Sequence, residues 1–157
     1  MNMNYVEFDT ALGRMRLIGD AQGIRALHLK ADETPFVPPQ DWRESDEWLL
    51  DAVQQLQAYA EGKLQRFDVR LNPQGTDFQK RVWQALSEIP FGEVRSYKDI
   101  AMAIGNPKAV RAVGGANGKN PIPVIVPCHR VIGADGSLTG FGSGLPLKKR
   151  LLALEGI

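Results

Sequence analysis

Cysteine and histidine are scarce in this sequence, which holds one cysteine and two histidines in 157 residues. A single cysteine excludes an intramolecular disulfide. One cysteine and two histidines also cannot complete a closed zinc site built from Cys and His ligands. Motifs for binding nucleotides or flavins are missing too. We therefore expect the protein to need no metal ion and no cofactor.

Long apolar runs are missing as well. No stretch is long enough to cross a bilayer, and the first ten residues lack the basic and apolar regions of a signal peptide. We therefore expect a cytoplasmic protein without a membrane partner. A composition that is 43% hydrophobic and 24% charged suits one compact unit or two small packed domains.

The net charge of +1 conceals an uneven distribution of charged residues. From Asp77 onward there are eleven Lys and Arg against six Asp and Glu, whereas the residues before it hold eight against twelve. The second half therefore carries +5 and the first half −4. A basic half beside an acidic one suggests a polyanionic partner, and many solvated surfaces are mildly basic without having one.

Apolar residues alternate along the first part of the chain, which predicts two or three antiparallel strands. The alternating pairs are Val6 and Phe8, Met15 and Leu17, and Leu27 and Leu29. A proline-rich connection at residues 34–40 precedes a predicted helix over 45–61, and a further strand is predicted over 67–71. These elements predict a small α+β domain, in which His28 is a structural residue.

Residues 72–76 are the best candidate for a domain boundary, which divides the chain into domains at 1–73 and 76–157. Thr76 and Gln79 have the spacing of a capping box for a new helix. Ser96 and Asp99 repeat that spacing before a second helix, predicted over 97–104 and ended by Gly105.

A further helix is predicted from Asn106 and Pro107 to about residue 117. Two helices joined by a short turn that contains glycine are typical of a helix-turn-helix. The second helix combines small side chains with Lys108, Arg111 and Lys119, so its backbone can approach DNA closely and its cations can meet phosphates. A plain helical hairpin in a core explains the pattern equally well.

The only cysteine, Cys128, follows an apolar run at residues 122–126 that predicts a buried strand. A turn at 134–137, a return strand from Leu138 and a closing helix over 146–155 are predicted after it. Thiolates, not thiols, are reactive. Because neighbours on a strand face opposite sides, His129 reaches the sulfur only if the strand ends or kinks at Pro127, or through a water molecule.

A third group should orient such a histidine, and Glu155 is the best candidate by residue type. At this point the residues match a family. The segments NPIPVIVPCHRV, SYKDIAMAIGNPKAVRAVGGANGKNP and LLALEG resemble the active-site signature, the helix-turn-helix and the closing helix of the O6-alkylguanine-DNA alkyltransferases. The resemblance extends from about residue 76 to residue 156.

The resemblance implies an α+β fold with an N-terminal RNase H-like domain and a C-terminal helical domain that carries the cysteine on a winged-helix-like helix-turn-helix. It implies that Cys128 accepts the alkyl group irreversibly, with His129 as its base through a bound water. Glu155 would orient His129, and Asn120 would be the hinge between the helix-turn-helix and the active-site segment. Tyr97 would lie near the target nucleotide and assist the departure of guanine.

The resemblance also implies which residues touch DNA and the flipped base. Arg111 would enter the duplex where the target base leaves it. The other expected DNA contacts are Tyr97, Lys108, Ala112, Gly115 and Arg130. The expected base pocket is formed by Val131, Phe141, Gly142, Ser143 and Gly144. Relatives often carry tyrosine at Phe141 and some carry serine at Gly142, so these two positions are expected to affect pocket size and alkyl preference.

Double-stranded DNA with O6-alkylguanine, and O4-alkylthymine as a second candidate, is therefore the expected partner of a monomer, with cooperative binding left open. The main alternative is a non-catalytic helix-turn-helix protein that binds alkylated DNA as a damage sensor or regulator. Relatives that only bind lesions replace the cysteine, whereas this chain keeps it. A cysteine hydrolase is disfavoured because His129 adjoins the nucleophile, and a redox sensor because no resolving thiol exists.

Overall fold

The computed structural model describes residues 3–157, so the first two residues of the predicted N-terminal domain lie outside the described residues. The chain divides into two compact units, Met1–Gln74 and Gly75–Ile157. The mixed α+β class predicted from the sequence is confirmed. No helix in the described range has both the length and the apolar character needed to span a bilayer.

The first unit is built on a four-stranded sheet in the order β3-β2-β1-β4. Its strands are β1 (Asn4–Thr10), β2 (Gly13–Asp20), β3 (Gly23–His28) and β4 (Arg43–Glu44). β1, β2 and β3 are antiparallel, as predicted, and the short β4 runs parallel to β1. Gly13 and Gly23 directly follow the two tight turns and have positive φ angles, which glycine adopts without steric cost.

Helix α1 (Leu50–Ala60) buries Val53 and Leu56 in the core of this unit. It begins five residues later than the predicted helix over 45–61. Trp48 has a φ of 70°, outside the helical range, and therefore interrupts any helix that starts at Ser45. Gly62 ends the helix with a φ of 77°, as the sequence predicts.

The predicted strand over 67–71 is wrong. Only Leu71 pairs with the sheet, through an isolated bridge to Ile24. The Gln55 side chain accepts a hydrogen bond from the Asp68 backbone N–H at 2.9 Å and donates one to its carbonyl at 3.1 Å. A helix side chain therefore satisfies the backbone groups that a strand ladder would otherwise pair.

The second unit contains four helices: α2 (Asp77–Ser87), α3 (Tyr97–Ala103), α4 (Val110–Gly118) and α5 (Leu145–Leu154). Both predicted capping boxes are present, Thr76 with Gln79 at α2 and Ser96 with Asp99 at α3. The indole Nε1 of Trp83 donates to the carbonyl of Ala116 at 2.9 Å, which ties α2 to α4 in the interior.

The helices α3 and α4 form the predicted helix-turn-helix, with Gly105 at a φ of 77° after α3. The second helix begins at Val110, not at Asn106 as predicted. The Ala109 backbone N–H donates to the carbonyl of Asn106 at 3.0 Å and closes a separate turn. Asn106 and Pro107 therefore start a turn before the helix.

The predicted buried strand over 122–126 is also wrong, although Ile122 and residues 124–126 are buried. The segment folds back on itself, since the Val126 N–H donates to the carbonyl of Ile122 at 2.9 Å. Val124 has a φ of 75°, which no strand residue adopts. Burial of this run is thus achieved by a compact loop.

Two short strands, β5 (Arg95–Ser96) and β6 (Val131–Ile132), pair in parallel. A turn follows β6 at 134–137, as predicted. The return strand predicted from Leu138 does not form. The residues after this turn instead make an irregular loop that leads into α5.

Candidate active site

Cys128 lies in a short 3-10 helix, Cys128–Arg130, directly after Pro127. The strand end expected at Pro127 therefore takes the form of a helical turn, closed by a hydrogen bond from the Arg130 N–H to the carbonyl of Pro127 at 3.0 Å. The thiol is buried, with only 5% of the residue exposed. Its reactivity depends on the few groups that surround it.

Burial raises the pKa of the Cys128 thiol because a thiolate is poorly solvated in the interior. Two neighbours act in the opposite direction. The side-chain amide of Asn120 and the ammonium of Lys148 each favour a negative charge on the sulfur and so lower this pKa. The resting side chain is therefore a neutral thiol that must lose its proton when it reacts.

His129 is completely buried, and its Nε2 lies 2.7 Å from Oε2 of Glu155. Burial lowers the pKa of this imidazole, although the hydrogen bond to Glu155 raises it. A neutral ring donates from Nε2 to the carboxylate, which leaves Nδ1 as the proton acceptor. Nδ1 is buried and has no hydrogen-bond partner in the described part of the chain. This lone pair is suited to take up a proton.

Glu155, at the C-terminal end of α5, collects hydrogen bonds from several elements. Oε1 accepts one from the backbone N–H of Gly92 at 3.1 Å and one from Nε of Arg130 at 2.7 Å. Nη2 of Arg130 lies 3.0 Å from Oε2. The sequence suggested Glu155 by residue type, and the fold brings it to His129.

Arg130 was predicted to contact DNA, and the structure contradicts this. The residue is 6% exposed, and its guanidinium forms a two-pronged ion pair with Glu155. Its Nη1 donates to the carbonyl of Ile89 at 2.6 Å. A guanidinium held in this way neutralises the buried carboxylate and cannot reach a phosphate.

Asn120 closes the loop that precedes the cysteine. Its Nδ2 donates to the carbonyl of Val126 at 2.8 Å, and its Oδ1 accepts from the N–H of Ile122 at 3.0 Å. These contacts connect the end of α4 to the segment that leads into the active-site turn. The hinge role expected for Asn120 stays a prediction.

Lys148 and Thr139 were not singled out in the sequence analysis. Lys148 is fully buried, and its Nζ donates to the carbonyls of Val131 at 2.6 Å and Thr139 at 2.8 Å. Desolvation lowers the pKa of its ammonium, and a charged Cys128 raises it. Helical spacing could have indicated that Lys148 is buried, because it stands three and four residues before Leu151 and Leu152 and so shares their buried face of α5.

Four of the five predicted base-pocket residues lie on the loop between β6 and α5, and the fifth, Val131, lies in β6. The Gly144 N–H donates to the carbonyl of Phe141 at 2.9 Å, and Gly144 has a φ of 98°. Phe141 and Ser143 are half-buried, and Gly142 is exposed. Val131 is buried, and its carbonyl accepts the Lys148 ammonium.

Tyr97, the first residue of α3, is half-buried, and its hydroxyl lies 2.8 Å from Oγ1 of Thr139. The contact joins the helix-turn-helix to the loop that carries the predicted base pocket. Tyr97 thus lies where both elements meet.

An exposed face of the helix-turn-helix carries the remaining predicted DNA contacts. The residues on this face are Lys108, Arg111, Ala112 and Gly115. No neighbour lies within 4 Å of a Cβ atom placed on Gly115, so the helix surface is open there. An open helix surface with small side chains and two cations is suited to the backbone of a nucleic acid.

The family profile described as "6-O-methylguanine DNA methyltransferase, DNA binding domain" matches residues 77–157, and the profile of that family's ribonuclease-like domain matches residues 3–73. The chain belongs to the 6-O-methylguanine DNA methyltransferase family. The resemblance inferred from the sequence is thereby confirmed over both halves of the chain.

Relatives within the 6-O-methylguanine DNA methyltransferase family are similar over nearly their whole length. The chain is 52% identical to the methylated-DNA--protein-cysteine methyltransferase of Methanosarcina acetivorans, over 98% of this chain and 99% of that one. It is 49% identical to the enzyme of the same name from Mycobacterium tuberculosis, over 98% and 92%. The crystal structure of Mycobacterium tuberculosis OGT in complex with DNA superposes with a TM-score of 0.87 at 48% identity, over 97% and 92%.

Proposed function

We propose that this protein repairs DNA by direct reversal, and that it moves an alkyl group from O6 of guanine to Sγ of Cys128 once per molecule. The observation that carries the proposal is that His129, which lies in the same helical turn as the only cysteine, forms a buried hydrogen bond with Glu155. Relatives named methylated-DNA--protein-cysteine methyltransferases support the same reaction.

The proposed reaction needs only the protein, the lesion and a water molecule. The Cys128 thiol gives its proton to Nδ1 of His129 through a water molecule. The sulfur then attacks the alkyl carbon, a carbon–sulfur bond forms, and the bond between that carbon and O6 breaks with its electron pair on guanine. Guanine takes up a proton from the hydroxyl of Tyr97, the proposed donor, and the proton that His129 took from the thiol then replaces it on the Tyr97 oxygen through water. The thioether product does not hydrolyse under mild conditions, so each molecule reacts once.

The neutral state of the site explains why the cysteine stays unreactive without a substrate. Burial raises the pKa of the Cys128 thiol and lowers that of His129, so the pair holds one proton on sulfur at rest. Proton transfer produces a thiolate and an imidazolium together. Glu155 then stabilises the imidazolium, while Asn120 and Lys148 stabilise the thiolate.

The alkylated base must leave the duplex to reach a buried sulfur, because its O6 atom lies inside the base stack. We propose that Arg111 fills the space that the flipped nucleotide vacates, and that Lys108, Ala112 and Gly115 follow the phosphate backbone. Phe141, Gly142, Ser143 and Gly144 form a wall of the pocket, with the backbone at Val131 facing the guanine. Phe141 and Gly142 set the size of the accepted alkyl group.

The proposal extends to where and in what form the protein works. A single acceptor cysteine and a single flipped base require only one chain, so we propose a monomer on DNA. We also propose that it works in the cytoplasm. Sedimentation of the free protein and of its complex with a lesion duplex tests the monomer, since a dimer in both samples contradicts it.

Intact mass spectrometry tests the transfer directly. The protein is incubated with a duplex that contains one O6-methylguanine. We expect a gain equal to one methylene group, its absence in Cys128→Ser, and restored guanine in the duplex. Tight lesion binding without any mass gain would instead support the alternative, a damage sensor whose helix-turn-helix works without the cysteine.

A further inference from the structure

We propose that Thr139 is a positioning residue, which holds the hydroxyl of Tyr97 toward the flipped guanine, and that Lys148 fixes Thr139 for this purpose. The inference rests on the role proposed for Tyr97 in guanine departure. It concerns a threonine that acts through another residue and does not itself touch the reacting atoms.

The contact between Tyr97 and Thr139 is close and joins distant parts of the chain. The two hydroxyl oxygens lie 2.8 Å apart, and 42 positions separate the residues. Both residues are half-buried, so the hydrogen bond is partly shielded from competing water. A Cβ atom placed on Gly114 would lie 3.9 Å from Cδ1 of Tyr97, so the ring lies beside α4. The hydrogen bond to Thr139 is the contact that fixes its hydroxyl.

Lys148 explains how a threonine on an irregular loop can hold a fixed position. The fully buried ammonium donates to the carbonyl of Thr139 at 2.8 Å and to that of Val131 at 2.6 Å. Val131 directly follows the helical turn that carries Cys128. Lys148 thus connects the segment after Cys128 to the backbone of Thr139, whose side-chain hydroxyl in turn contacts Tyr97.

The loop needs such an anchor, because Thr139 precedes Gly140 and Gly142, and glycine leaves a backbone free to move.

The direction of the hydrogen bond between Tyr97 and Thr139 also matters for the chemistry. When the Thr139 hydroxyl donates to the phenol oxygen, the phenol proton is free to point at the guanine. A Tyr97 ring without this partner can rotate its hydroxyl away from the base.

Two variants separate the hydroxyl from the shape of Thr139. Thr139→Val keeps the branched side chain and removes the hydroxyl, whereas Thr139→Ser keeps the hydroxyl. We measure the rate of methyl transfer at saturating lesion duplex, and separately the dissociation constant for the same duplex with Cys128→Ser as the background. We expect Thr139→Val to slow transfer by about 3- to 10-fold, which corresponds to one lost hydrogen bond, with unchanged affinity. Thr139→Ser should restore the rate.

A double-mutant comparison tests whether the effect passes through Tyr97. In a Tyr97→Phe background the Thr139→Val substitution should cause no further slowing, because the partner hydroxyl is already gone. Equal slowing in both backgrounds, or a Thr139→Val protein as fast as the unmodified chain, overturns the inference. A chain that gains no mass at all from the lesion duplex instead overturns the proposed function, so the two failures are distinguishable.

Discussion

Single residues set the chemistry of this site through the charge balance of a small buried group. Glu155 lies between His129 and Arg130, and its side chain is fully buried. Three ionisable side chains in so small a volume are stable together only if their charges compensate. A neutral His129 with an ionised Glu155 and Arg130 meets that condition.

Glu155→Gln tests this balance. The substitution keeps the shape of the side chain and leaves the Arg130 guanidinium buried without its counter-charge. We expect a loss of about 3 kcal/mol or more in the free energy of unfolding, together with slower methyl transfer, because the imidazolium loses its partner. Urea denaturation and single-turnover kinetics measure the two effects.

Glu93→Gln is the matched control, because Glu93 forms an exposed ion pair with Arg95 at 3.0 Å. Exposed pairs contribute little, so this variant should change the free energy of unfolding by less than about 1 kcal/mol. Equal stability of Glu155→Gln and the unmodified chain would contradict the charge balance proposed for the buried group.

At the scale of elements, the helices of the second unit are bounded by their caps. Thr76 accepts a hydrogen bond from the N–H of Gln79 at 3.1 Å, and the Gln79 side chain accepts one from the N–H of Thr76 at 3.0 Å. The helix α2 that begins there buries Val82, Trp83 and Leu86. The cap therefore determines where a central helix of the unit starts.

Thr76→Ala removes the cap and should lower the free energy of unfolding by about 1 kcal/mol. The threonine is exposed, so lost packing adds little to this effect. Thermal or urea unfolding measures the change. Thr76→Ser retains the hydroxyl and should stay close to the unmodified chain. If Ser and Ala destabilise the protein equally, the hydroxyl of the cap is not the cause.

At the scale of the whole molecule, each unit contains one of the two histidines, and both have a lowered pKa. Burial and the charge of Arg16 lower the pKa of His28, although Glu7 raises it. Burial lowers the pKa of His129 among Glu155, Arg130 and Lys148. His28 lies 2.9 Å from the Arg16 guanidinium, in agreement with the structural role predicted for it.

The stability of the protein should therefore fall as the pH drops below about 6.5, the ordinary pKa of histidine. The unfolded chain binds protons there that the folded chain does not, and so unfolding becomes more favourable. Each histidine contributes up to about 1.4 kcal/mol per pH unit. Urea unfolding between about pH 7.5 and about pH 5.5 measures this slope of the free energy of unfolding against pH.

His28→Gln removes one of the two titrations and should reduce that slope by about half. Carboxylates with lowered pKa values lose their stabilising effect only as the pH falls further, toward about 4. They are Glu7, Asp99 and Asp135. A slope that is unchanged in His28→Gln would assign the dependence to other groups.

Local signals in the sequence determined much of this protein. The capping boxes at Thr76 and Ser96, the turn glycines and the alternation of β1 to β3 depend on neighbouring residues alone, and the structure agrees with each of them. The family was likewise evident, and Cys128 and the adjacent His129 were singled out as candidates, because the motif around them is contiguous.

Only the tertiary structure decided the features that depend on distant partners. The runs at 67–71 and 122–126 have strand-like composition, but side chains of Gln55 and Asn120 take their backbone hydrogen bonds. In the sequence, Arg130 cannot be distinguished from a basic residue that contacts DNA, and only the fold shows that it pairs with Glu155. The contacts of Lys148 and Thr139 join separate segments of the chain. Local sequence patterns cannot specify such pairings, because hydrogen bonds and burial depend on what the fold brings into reach.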